Sequence, residues 1–212
     1  MANPENVAGM ARFGIKTEKA LGISIPPLRA IAKRTGKNHI LAGELWSSGI
    51  HEARILACFI DSPKQVTPEQ MERWASEFDS WDLCDQCCSN LFDKTPFAYQ
   101  KAAEWSAREE EFVKRAGFVL MAALAVHDKK ARDDKFIRFL PIIVRESDDE
   151  RNFVKKAVNW ALRQIGKRNK KLNVFAIDTA REIQERISPA ARWIASDALK
   201  ELTGESVQRK LK

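Results

Sequence analysis

Apolar residues return at intervals of three and four along nearly the whole chain, as in Ile55, Leu56, Phe59, Ile60 and again in Val154, Ala157, Val158, Ala161, Leu162. That period follows the helical turn and not the two-residue alternation of a strand. Polar punctuation divides the pattern. Thr67-Pro68-Glu69-Gln70, Thr95-Pro96, Ser147-Asp148-Asp149-Glu150 and Ser188-Pro189 each put a side-chain oxygen where the N–H groups of a first turn need an acceptor. The spacing predicts helices near 4–20, 26–35, 38–47, 50–61, 68–78, 81–92, 96–106, 109–127, 131–145, 150–166, 171–186 and 189–203. Short helices that follow one another without strands make an all-α chain.

An internal repeat turns this from a bundle into an array. Lys114-Arg115-Ala116 recurs 41 residues later as Lys155-Lys156-Ala157, and the stretch from Ala157 to Arg163 is echoed 37 residues on by Ile194 to Lys200. Periods near 40 belong to HEAT or armadillo-type helical repeats. Low glycine and proline and a single tyrosine, Tyr99, agree with helix, and 212 residues with 44% hydrophobic content suffice for one domain over 1–212. No run approaches the length of a membrane span, and the start lacks the apolar stretch of a signal peptide, so a cytoplasmic monomer is expected.

Cys84, Cys87 and Cys88 crowd together, yet no second pair or histidine cluster completes a zinc site, so reduced, core-filling thiols and no metal are expected. His51-Glu52-Ala53-Arg54 lacks the second histidine of a zinc-protease helix, and no glycine-rich phosphate loop occurs, which leaves no cofactor to expect.

The net charge of +7 is lopsided. Residues 1–106 hold 12 basic against 13 acidic side chains, whereas residues 107–212 hold 24 against 16. A one-sided positive field attracts polyanions. Its densest run, Gly166-Lys167-Arg168-Asn169-Lys170-Lys171, suits phosphate contacts, although a solvated loop has the same composition.

Candidate chemistry lies on three helices. Trp81 and Asp85, four apart, fall within about 40° of each other on one helix face, while Asp82 is turned about 100° away, where a carboxylate favours the helix dipole. Asp85 is therefore the better chemical candidate. Lys156, Trp160 and Arg163 form a strip in which an indole between cations would stack on a base or ribose. Lys114 and Arg115 stand near the middle of the long helix. For each residue alone the bland alternative is core packing, an ion pair or solvated charge.

Taken in order, Met10-Ala11-Arg12-Phe13, Leu21-Gly22-Ile23, Glu44-Leu45-Trp46, His51-Glu52-Ala53-Arg54, Trp81-Asp82-x-x-Asp85, Lys114-Arg115-Ala116 and Lys156-Ala157-x-x-Trp160-x-Leu162-Arg163 resemble the HEAT-like DNA alkylation repair family, the AlkD-type alkylpurine DNA glycosylases. The resemblance implies a right-handed, C-shaped α-solenoid whose concave basic cleft holds duplex DNA and excises cationic N3- and N7-alkylated purines without a base pocket. It implies Asp85 as the catalytic carboxylate, Trp81 and Trp160 as aromatic walls beside the lesion nucleotide, and Arg115 as a cleft cation. Lys114, Lys156, Arg163, Lys167 and Arg168 join the expected DNA contacts, as does Phe13, where the family can carry a tyrosine hydroxyl. Family members that bind without excising make a non-catalytic binder of damaged, bent or branched DNA the alternative. A peptide-binding solenoid is the third reading.

Overall fold

The computed structural model describes residues 2–211, and among them there is no strand. They fall into two compact units, one ending at Phe97 and the other beginning at Ala98. The first holds α1 (Pro4–Arg12), α2 (Ile25–Thr35), α3 (His39–Ser47), α4 (His51–Ile60), α5 (Pro68–Ser76), α6 (Trp81–Asn90) and a 3-10 turn at Phe92–Lys94. The second holds α7 (Ala98–Ser106), α8 (Glu111–His127), α9 (Asp133–Ile137), α10 (Leu140–Arg145), α11 (Asn152–Gly166), α12 (Lys170–Gln184), α13 (Pro189–Leu202) and α14 (Glu205–Gln208).

Capping sets several of these starts. Asn38, Thr67, Asn169 and Ser188 each accept from the backbone N–H three residues on, with proline in the first turn after Thr67 and Ser188. Two expected helices are corrected. The one placed at 4–20 stops at Arg12, because Gly14 and Gly22 take positive φ and the chain turns back. The one placed at 131–145 is two, since Pro141 has no N–H to offer and sits in the first turn of a new helix, α10. Thr95 caps nothing either; its hydroxyl donates to the Phe92 carbonyl.

The repeat is visible in the second unit. Helices α8, α11 and α13 start at Glu111, Asn152 and Pro189, separations of 41 and 37 residues, and α11 packs against both of the others. In the first unit α4 packs against α2, α3 and α6. Its core is aromatic: Trp46 and Trp74 stack with centroids 4.0 Å apart, flanked by Phe78 and Phe92. The four cysteines, Cys58, Cys84, Cys87 and Cys88, are thiols buried in that unit, and burial pushes Cys87 and Cys88 well up from the ordinary thiol range.

Polar ties join the elements of the first unit, and they are made by the motif residues. Glu52 is 2% exposed, and its carboxylate collects the amides of Leu21, Gly22 and Ile23 at 2.8, 2.7 and 3.2 Å. Arg54 donates to Glu77 at 2.5 Å and to the Trp46 carbonyl, with its guanidinium over the Trp46 ring. His51 Nε2 lies 2.8 Å from Asp82 Oδ2, joining α4 to the first turn of α6. Gly22 is required where it stands, at φ 74°, because a Cβ there would lie 2.1 Å from the Asn3 carbonyl oxygen.

Burial opposes a charged His51, but Asp82, with Glu52 and Asp79 near it, outweighs burial and holds the imidazole above its ordinary value of 6.5. Asp82 is likewise held below 3.8, against burial, by its bond to His51. The histidine's contribution is complete below 6.5 and is lost as pH rises through the raised value; the carboxylate's is present above 3.8 and is lost as pH falls through the lowered one.

Two outcomes are expected in urea unfolding. Gly22→Ala should cost on the order of 2 kcal/mol or more, from positive φ and the collision with the chain. His51→Gln should cost about 1 kcal/mol in mild acid, where both partners are charged, and the gap to the parent protein should close as pH rises. A gap that widens toward alkaline pH would show that the pair is not ionic.

Candidate functional site

Of the six tryptophans, Trp46, Trp74 and Trp105 are buried, which leaves Trp81, Trp160 and Trp193 within reach of solvent. Two of these are the indoles singled out in the sequence. The third, Trp193, is 40% exposed with the Lys155 ammonium 5.7 Å from its ring, a cation–aromatic pair that the chain pattern did not reveal.

In the first unit the site is built on α6. Leu83, Cys84, Cys87 and Cys88 turn one face of that helix into the core, so Trp81, Asp82, Asp85, Gln86 and Ser89 occupy its half-buried opposite side. Trp81 is the first helical residue, and Asp85 follows it one turn later on the same face, as the spacing predicted. The indole N–H of Trp81 donates to the Phe13 carbonyl at 3.0 Å, which fixes the ring against the chain leaving α1. Phe13 thus acts through its backbone, while its side chain is 69% exposed. A cavity of about 450 Å³ adjoins Trp81, lined by Met10, Phe13, Ile15 and Ile55, with His51 and Asp82 on its wall. Asp82, assigned on sequence to the helix dipole alone, is instead the partner of His51.

The second unit carries the other expected contacts, and several of the cations there have partners within the chain. Lys114, expected at the DNA surface, is 8% exposed, with its ammonium 2.7 Å from Glu146 and 3.3 Å from Asp149. Although burial opposes it, the Lys114 ammonium and Arg145 hold Glu146 below the ordinary carboxylate range; Arg151 and Lys114 do the same for Asp149. Arg163 and Lys167, expected in the basic strip, both reach Glu201 of α13, at 2.6 and 2.7 Å, and Arg163 also meets Asp197. Against burial, those two cations hold Glu201 below its ordinary value. Arg168 donates to the Ala125 and Ala131 carbonyls and lies over the Phe136 ring. Lys114, Arg163 and Lys167 are thus ion-paired between helices, whereas Arg168 is held by carbonyls and a ring without a carboxylate partner.

Arg115 is 6% exposed and donates to the Phe153 carbonyl at 2.6 Å. Trp160 is half-buried on α11; with the Gln164 amide oxygen turned toward it, its N–H donates there at 3.0 Å. Lys156, Lys170 and Lys171 remain exposed. Among the described residues no group of three histidine, cysteine or acidic side chains is arranged to hold a metal ion, and no helix is long and apolar enough to cross a membrane.

Signals for what the sequence reading missed were present in part. Arg29, Lys33 and Lys37 recur every fourth residue, a basic stripe in a half of the chain with no net positive charge. The His51–Asp82 pairing spans 31 residues and had no local signature.

Comparison with known proteins agrees with this architecture. A solved structure described as a new family of proteins related to the HEAT-like repeat DNA glycosylases with affinity for branched DNA structures superposes with a TM-score of 0.77, covering 96% of this chain and 92% of that one at 20% identity. An uncharacterized protein of Listeria innocua is 28% identical over 122 residues, 56% of this chain; the chain thus aligns with about half, 54%, of that relative's length. The family model described as DNA alkylation repair enzyme matches residues 1–202, from α1 to the end of α13. The chain belongs to the DNA alkylation repair enzyme family and has the all-helical fold of the HEAT-like repeat DNA glycosylases.

Proposed function

We propose that this protein binds alkylated duplex DNA and hydrolyses the N-glycosidic bond of cationic N3- and N7-alkylpurines, with Asp85 as the catalytic carboxylate. The observation that carries the reading is the Trp81-x3-Asp85 pair on the outward face of α6, within a chain that the alkylation repair family matches over residues 1–202. Alkylation at N3 or N7 leaves the purine positively charged, so its departure needs no strong acid. When the bond from C1′ to the purine nitrogen breaks, its electron pair neutralises the base and positive charge appears on the sugar. A carboxylate stabilises that charge and orients the water that adds to C1′, taking up the proton that the water releases. The indole face of Trp81, on the same helix, would add cation–π attraction of about 0.5–2 kcal/mol.

Phosphate contacts in the second unit are assigned to Lys156, Lys170 and Lys171, whose charges are exposed, with Arg115 in a positioning role. A second reading keeps the binding and drops the chemistry. It is favoured by the solved relative described as having affinity for branched DNA.

Asp85→Asn separates the two on duplex DNA that contains 7-methylguanine. Excision is expected to fall by about 10²–10⁴-fold, with DNA affinity within a few-fold of the parent. Release of the modified base at the parent rate would remove Asp85 from the reaction, and a parent protein that binds but leaves no abasic site would establish the second reading.

A further inference from the structure

We propose that the hollow bounded by Arg29, Lys33, Lys37 and Lys94 in the first unit is a seat for a backbone phosphate of nucleic acid. The proposal deepens the DNA-binding reading above and rests on it. The hollow has a volume of about 340 Å³ and no carboxylate on its wall. Its cations come from three segments. Arg29 and Lys33 stand one turn apart on α2, Lys37 follows the Gly36 that ends α2, and Lys94 comes from the 3-10 turn after α6.

All four cations are exposed, and three are held in place without being neutralised. The guanidinium of Arg29 lies 4.7 Å from the centre of the Phe59 ring and donates to Asn90 Oδ1 at 3.3 Å. The ammonium of Lys37 donates to the carbonyls of Phe59 and Asp61 at 3.0 and 2.7 Å, and that of Lys94 to the Asn90 carbonyl at 2.7 Å. A lysine has three N–H donors and an arginine five, so each keeps donors to spare. Among the described residues none of the four makes an ion pair, in contrast to Lys114, Arg163 and Lys167.

Partial burial and the nearby Lys94 hold Lys37 below the ordinary lysine range, with Asp61 only partly offsetting them. Repulsion of this kind is relieved by an anion. The dipole at the end of α2 accounts for a cation such as Lys33 in its last turn, but not for Lys94, which a different segment brings to the same hollow. A tetrahedral oxyanion accepts from several directions at once, as these donors require. The volume exceeds that of one phosphate group and leaves room for the attached sugar.

The test compares Lys33→Gln/Lys94→Gln with a control, Lys64→Gln/Lys130→Gln, which removes two exposed charges elsewhere. Duplex DNA affinity is measured across a salt series. Loss of one phosphate contact should make the slope of log K against log salt shallower by about 0.9 and weaken binding about tenfold near 0.1 M salt, with the control changed less than about twofold. In parallel, inorganic pyrophosphate is titrated into each protein and followed by amide NMR. Saturable shifts at Gly36, Asn90 and Lys94 are expected in the parent and control proteins and not in the Lys33/Lys94 variant.

Equal affinities and slopes for the two variants overturn the seat while leaving DNA binding intact. A parent protein that does not bind DNA overturns the parent reading, and with it the nucleic-acid occupant. A saturable pyrophosphate shift then identifies a seat for free phosphate. Adding a 5′-phosphate to the duplex separates the remaining sources: a gain confined to proteins with the hollow intact would mean that it takes a strand end and would overturn the backbone assignment.

Discussion

A buried negative charge must be repaid by donors where it lies, and in the first unit that requirement falls on Glu52. Its carboxylate gathers three consecutive amides from Leu21, Gly22 and Ile23, which pins the segment after α1 onto the start of α4. The neighbouring residue, His51, reaches the other way to Asp82 in the first turn of α6. Two adjacent side chains thereby locate both the chain that carries Phe13 and the helix that carries Trp81 and Asp85. The indole of Trp81 closes the circuit by donating to the Phe13 carbonyl. Removing one partner of such an arrangement strands a polar group away from water, at a cost of roughly 1–3 kcal/mol or more if the group is charged.

The same accounting changes the meaning of the charge. Counted along the chain, the positive excess lies in the second half, yet Lys114, Arg163 and Lys167 are matched there by Glu146, Asp149, Asp197 and Glu201. Asn159 and Arg163 of α11 and Lys167 just past its end, four residues apart, face Asp197 and Glu201 on α13, so much of the basic strip is an inter-helix rail. In the first half, where acids outnumber bases by one, the cations around Arg29 are left without such partners. Paired charge and available charge are different quantities, and only the second attracts a phosphate.

What could be read from the chain follows from range. Helical period and caps are local, so α3 to α8 and α11 to α13 lie within a few residues of their expected bounds. The face shared by Trp81 and Asp85 is equally local. The early end of α1 depends on Gly22 meeting Asn3 and on an acid about thirty residues away, and neither leaves a mark on the apolar period. Partners of the basic residues stand 32 to 38 residues off on neighbouring helices, so the chain pattern displayed the cations without their counter-ions. Leu21-Gly22-Ile23, Trp46 and His51-Glu52-Ala53-Arg54, met first as separate motifs, are largely one another's hydrogen-bonding partners.

Within this account, charge growing on a deoxyribose meets a carboxylate one turn from an indole, on a helix held by a circuit of polar bonds. Incubating the unaltered protein with a duplex bearing a single N7-methylated guanine, and quantifying free base and abasic sites over time, examines that claim most directly. Stoichiometric release of 7-methylguanine, with unmodified duplex untouched, is the result the account requires. A duplex that stays bound and chemically whole would contradict it.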